Sequence, residues 1–157
     1  MAEGDCFEPG TDGPSAIMVG IDGSTASLRA GAYAAGLARR QGARLIAVYV
    51  GSRSAMPVIP VTDLGAAAAL AVAHAQDFEQ LAAGLRREAE KAAQEHGISM
   101  TFVATRGDRF AELGRIAAES CADAIVVGAS AKAGHRLVGS LAVRLVRASR
   151  WPVTVVP

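Results

Sequence analysis

With 157 residues and a formal net charge of +1, the chain is sized for one ordinary domain and lacks the clustered basic excess of a general nucleic-acid or membrane-surface binder. Aromatic residues make up only 4% of it, too few for the stacking platforms that hold single strands, whereas abundant Ala and Gly suit helices packed closely on a sheet. Cys6 and Cys121 offer neither a disulfide framework nor zinc-ligand spacing, which fits a reducing cytoplasm.

Residues 1–14 carry turn formers without a basic start or an apolar run. They are expected to form a flexible tail rather than a signal peptide, ahead of one domain over 15–157. Ala16-Ile17-Met18-Val19-Gly20-Ile21 is continuously apolar, the pattern of a strand covered on both faces, and it stops at Asp22-Gly23-Ser24. Ser24 or Thr25 caps a helix that runs through Leu28, Ala32, Ala35 and Ala38 to Arg39-Arg40 and ends at Gly42. Ala43 to Val50 reads as a second buried strand, followed by a long loop from Gly51 to Thr62.

From Ala66 to His96 the pattern is helical, with Leu70, His74, Phe78, Leu81, Leu85, Ala89 and Ala92 on one apolar stripe. His74 is therefore expected to pack rather than catalyse, and His96 to serve as a terminal cation before the Gly97 cap. The Ala66 to Ala73 run falls short of the ~18 apolar residues that a membrane span requires. Ile98 to Ala104 alternates as a third strand. In the turn Arg106-Gly107-Asp108, Asp108 caps a helix marked by Phe110, Leu113, Ile116 and Ala117, which ends near Cys121. Asp123 to Gly128 is a fourth strand. A last helix opens at Gly139-Ser140 with Leu141, Leu145 and Ala148 inward and Arg144, Arg147 and Arg150 outward. After Trp151-Pro152, Val153 to Val156 forms a strand that begins at a proline, as edge strands tolerate.

Buried-type strands alternating with helices imply an open parallel α/β sheet with right-handed crossovers and helices on both faces. Ligands of such sheets bind beyond the C-terminal strand ends, where the strand order reverses; those ends carry Asp22, Val50 and Gly128. The stretch from Gly128 to Ser140 is strand end, small basic loop and helix start in that order. Free backbone N–H groups and the helix dipole converge there on an anion, and Lys132, His135 and Arg136 form an electropositive rim. The same residues also have a plainer reading, a Ser-capped helix after a solvated loop. Asp22 and Asp123 fall at opposite ends of their strands and cannot form a catalytic pair. No nucleophile, base and orienting residue meet in a motif and no metal-ligand spacing exists, so binding is expected rather than chemistry.

Several of these segments together resemble the universal stress protein family. They are Ile17-Met18-Val19-Gly20-Ile21-Asp22-Gly23-Ser24, Ile125-Val126-Val127-Gly128-Ala129-Ser130, Val138-Gly139-Ser140-Leu141 and Trp151-Pro152-Val153-Thr154-Val155-Val156, and the resemblance extends from Ser15 to Pro157. It implies a Rossmann-like, adenine nucleotide alpha hydrolase-like sheet in the order 3-2-1-4-5 and a homodimer joined through Val153 to Val156. It also implies an ATP site, since many members bind ATP without robust catalysis. In ATP-binding members the phosphate motif reads G-x-x-G-x9-G-[ST]; its first Gly falls on Gly128 and its last pair on Gly139 and Ser140, with Val127 and Leu141 flanking them. The family's acidic residue after the first strand, which meets ribose or adenine, falls on Asp22, and its adenine backbone contact after the second strand falls on Val50. Two departures are visible: Ala131 replaces the second motif Gly, and the following interval is two residues short. Ala carries a steric penalty where backbone approaches a phosphate or takes positive φ. Lys132 and Arg136 are the candidates to hold phosphate where the shortened loop does not reach it. The expected function is regulatory adenine-nucleotide binding in a stress response, with a nucleotide-free homodimeric scaffold as the alternative.

Overall fold

The computed structural model describes residues 13–52, 64–129 and 139–157. Five strands, β1 (Ala16–Gly20), β2 (Arg44–Gly51), β3 (Met100–Arg106), β4 (Ala124–Gly128) and β5 (Val153–Val156), alternate with α1 (Thr25–Gln41), α2 (Leu64–Glu95), α3 (Arg109–Glu119) and α4 (Ser140–Ala148). All strand pairs are parallel, in the order β3-β2-β1-β4-β5. The parallel pairing is what the alternation of strand and helix patterns predicts, and the reversal of order between β1 and β4 is what the family resemblance implies. Most of the tail expected over 1–14, all but the first two residues of the Gly51 to Thr62 loop, and residues 130–138 lie outside the described residues.

The central strands β1 and β4 are apolar along their whole length because both sheet faces are covered there. Ile17 and Val19 of β1 pack with Ala30, Ala34 and Ala38 of α1 and with Ala82 and Leu85 of α2. Their neighbours Ala16 and Met18 pack on the other face with Leu113 and Ile116 of α3 and with Ala142 and Leu145 of α4. Successive side chains point to opposite faces, so one continuous run feeds both layers. Asp123 ties the starts of β1 and β4 together, its Oδ2 accepting from the backbone N–H groups of Ser15 (2.8 Å) and Ala16 (2.9 Å) and from Ser15 Oγ (3.0 Å).

The inward face of α1 is Ser27, Ala30, Ala34 and Ala38; of the residues that mark the helix in the sequence, Leu28, Ala32, Ala35 and Ala38, only Ala38 is fully buried. Leu28 is 50% exposed. The reason is distance: α1 lies so close to the sheet that an alanine methyl is what fits beneath it. The tightest point is Gly128, where a Cβ would lie 2.5 Å from the Ala26 carbonyl carbon, 2.6 Å from its oxygen and 2.8 Å from Ser27 N. These are backbone atoms and cannot swing aside.

α2 also differs from its expected stripe. Ala82, Leu85 and Ala93 are buried, but Leu70 is 40% and Leu81 43% exposed, and His74 is exposed rather than packed. A helix of 32 residues is about 48 Å long, while β2 and β3 with 8 and 7 residues span about 25 Å. Its N-terminal half therefore outruns the sheet. Where it crosses the ends of β2 and β3, Phe78 stacks on Tyr49 at 5.4 Å between centroids, and the Arg106 guanidinium lies 4.2 Å over the Phe78 ring while donating to the Ala75 carbonyl (3.1 Å).

On the opposite face α3 and α4 are braced by charge. Asp108 caps α3 through the Ala111 N–H (2.9 Å), as its place before the helical pattern predicts, and also accepts from Arg144 of α4 at 3.1 and 3.2 Å. Arg144 in turn lies 4.5 Å over the Phe110 ring.

Two outcomes follow from this packing. Gly128→Ala forces the first turn of α1 off the sheet and is expected to cost about 1–3 kcal/mol, read as a thermal midpoint several degrees lower; an unchanged midpoint would contradict the close approach. The Asp108 carboxyl is held below the ordinary carboxylate range by the Arg144 hydrogen bonds first and by the Ala111 N–H. A lowered folded value stabilises fully above the ordinary carboxylate pKa, and that contribution disappears as pH falls through the folded value. Urea denaturation of wild type and Asp108→Asn should therefore differ at neutral pH and converge in acid.

Candidate functional site

A cavity of about 370 Å³ opens at the C-terminal ends of β1, β2 and β4, at the point where the strand order reverses. This is where open parallel sheets bind ligands, because diverging crossovers leave a crevice there. Its apolar lining includes Val48 and Val50 from β2, Val127 from β4, Leu113 from α3, and Leu141 and Ala142 from α4. Polar groups enter from three sides: Asp22 after β1, Arg109 at the start of α3, and the N-terminus of α4 at Gly139 and Ser140.

Asp22 is placed by the turn into α1. Its Oδ1 accepts from the Ser24 N–H (3.0 Å), and its own N–H donates to Ser27 Oγ (3.1 Å), while Ser24 caps the helix by accepting from Ser27 N (3.2 Å). Partial burial pushes the Asp22 carboxyl up. Hydrogen bonds with Ser24 and Ser27 and the Arg109 guanidinium outweigh that push, so the group lies below its ordinary value and is ionised at neutral pH. Arg109 stands 3.9 Å from Asp22 Oδ2.

Gly139 occupies the cap position of α4 with extended backbone, φ −60° and ψ 155°, and provides no side-chain acceptor; its carbonyl takes the Val143 N–H at 3.1 Å. Ser140 is the first helical residue, not the cap expected of it. The first N–H groups of α4 therefore have no side-chain acceptor at the cap and stand where the helix dipole is most positive. Beside them the Ala129 N–H donates to the Val156 carbonyl (2.7 Å), extending β4–β5 pairing past Gly128.

Seven residues singled out from the sequence, Asp22, Val50, Val127, Gly128, Gly139, Ser140 and Leu141, line this one cavity. Ala131, Lys132 and Arg136 lie outside the described residues. Val50 differs from its expected setting: it lies inside β2, which runs on to Gly51, and its register partner is Thr105. Arg109 and Ser27 were not anticipated. Arg109 follows a turn that reads as punctuation, and only the right-handed path of α3 from β3 over the sheet to β4 brings its first turn to the switch point. His96 is exposed, and Asp22 and Asp123 lie at opposite ends of the sheet, so no carboxylate pair forms. Among the described residues no group of three or more His, Cys, Asp or Glu is placed to hold a metal ion, and no helix is long and apolar enough to cross a membrane.

Comparison with curated proteins finds no match. Solved structures share the fold. A universal stress protein family member from Burkholderia pseudomallei is 28% identical with a TM-score of 0.69, over 91% of this chain and 96% of its own. The universal stress protein UspA from Lactobacillus plantarum is 25% identical with a TM-score of 0.73, over 91% and 97%. A universal stress protein in complex with cAMP is 23% identical with a TM-score of 0.62, over 92% and 98%. The profile of the Universal stress protein family matches residues 15–157. With that match over nearly the whole chain, and with the sheet order and switch-point cavity described above, the protein belongs to the universal stress protein family.

Proposed function

We propose that the switch-point cavity binds an adenine nucleotide as a regulatory ligand. The observation that carries this reading is the arrangement of three unlike surfaces in one crevice: an apolar bed, the Asp22 carboxylate and the N-terminus of α4. A base suits the bed formed by Val48, Val50 and Val127. Ribose hydroxyls suit an ionised carboxylate that can accept from them, and phosphate suits the N–H groups at a positive helix end. The volume falls within the ~300–1,000 Å³ range of small-molecule sites. The cAMP complex of a protein with the same fold supports the reading. Ala131, Lys132 and Arg136 are assigned to the phosphates by the sequence motif alone, as is the choice of ATP among adenine nucleotides. The ligand acts here as an effector, in a cytoplasmic protein.

The protein is further proposed to pair with a second copy through β5. This strand lies at the sheet edge, bonded to β4 on one side, with Val153 to Val156 all half-buried. Such an edge invites strand addition.

Titration calorimetry with ATP, AMP and cAMP should give saturable binding. Asp22→Ala should weaken it about tenfold or more, the effect of losing a hydrogen bond to a charged group. No heat with any adenine nucleotide at millimolar concentration would overturn the nucleotide reading and leave the scaffold alternative. Sedimentation velocity at micromolar concentration should give a dimer; a monomer would overturn the β5 interface.

A further inference from the structure

Arg109 opens α3 directly after its Asp108 cap and lines the cavity on the side facing Asp22. Its guanidinium approaches Asp22 Oδ2 only to 3.9 Å, an ion-pair distance but beyond hydrogen-bond range. Among the described residues it makes no hydrogen bond. The other arginine of α3 is different: Arg115 donates to Glu112 and to Glu119 at 2.7 to 3.3 Å. Arg144, across the helix pair, is likewise held by Asp108 and stacked on Phe110. Carboxylates thus hold Arg115 and Arg144 by hydrogen bonds, whereas the guanidinium that lines the cavity keeps its fork open.

An exposed pair at this separation contributes little to stability, so turning Arg109 from Asp22 toward an incoming anion costs the protein little. A guanidinium has five N–H donors in a planar fork that matches phosphate oxygens two at a time. Asp22 would then be released to accept ribose hydroxyls, and the two changes favour the same ligand.

We infer that Arg109 is a specificity-determining residue of this cavity, exchanging its long contact with Asp22 for a phosphate oxygen and so selecting phosphorylated nucleosides over neutral ones. The inference rests on the adenine-nucleotide reading. It assigns to this chain a cation on α3, outside the Gly128 to Ser140 motif.

The test is the affinity of wild type, Arg109→Gln and Arg109→Lys for adenosine and for AMP, by calorimetry in the same buffer, with the thermal midpoint of each protein without ligand. Arg109→Gln should weaken AMP roughly ten- to hundredfold and leave adenosine within about twofold, with Arg109→Lys between; the unliganded midpoints should coincide. Equal losses for both ligands, or unchanged AMP affinity, would overturn the role of Arg109 while leaving nucleotide binding intact. If wild type binds neither adenosine nor AMP, the nucleotide reading falls and this inference with it.

Discussion

The backbone of Gly128 lies directly on the backbone of Ala26 and Ser27, with no space for a methyl group between them. That contact sets the height of α1 above the sheet, and the small inward face of Ala30, Ala34 and Ala38 maintains it along the helix. Ser27 Oγ, held at this height, accepts the Asp22 N–H, and the Ser24 N–H orients the Asp22 carboxylate. A steric requirement at the end of β4 thereby positions a charged group at the end of β1. The first glycine of the phosphate motif has a structural duty in this chain quite apart from any phosphate.

The far wall of the cavity depends on a second constraint. α3 and α4 share one apolar cluster against the sheet, and at its edge the Asp108 carboxylate joins them by capping one and pairing with Arg144 of the other. The cap fixes the first turn of α3, where Arg109 stands, and the pairing fixes α4, whose N-terminus faces the cavity. Positive potential therefore arrives at the crevice from a helix end and from a side chain, opposite one carboxylate. An apolar bed raises the value of each of these charges, because water competes less there than on an open surface.

Much of this was legible in the sequence because it rests on local rules. The doubly buried strands show as unbroken apolar runs, Ser24, Asp108 and Gly42 mark helix ends by their own chemistry, and Asp22, Val50 and Gly128 fall at strand ends that any parallel sheet gathers on one side. The failures are equally physical. Leu28 and Ala32 fall on a helical stripe that the sequence assigns to no face, and the close approach at Gly128 turns α1 toward Ala30 and Ala34. His74 and Leu70 satisfy one as well, yet α2 is longer than the sheet beneath it. Hydrophobic periodicity records which side of a helix prefers burial; it does not record how far away, or how long, the opposing surface is.

The sequence by itself determined the order of elements, the parallel sheet, the family and the end of the sheet at which the crevice opens, since each follows from patterns a few residues wide. Only the tertiary structure decided which side chains face one another across that end. Arg109 meets Asp22 because a right-handed crossover carries α3 back over the sheet, bringing together residues 87 positions apart. Ser140 follows the cap rather than forming it because Gly139 takes the extended backbone at the helix entrance. Such pairings depend on the packing of whole layers, a quantity that no local spacing encodes.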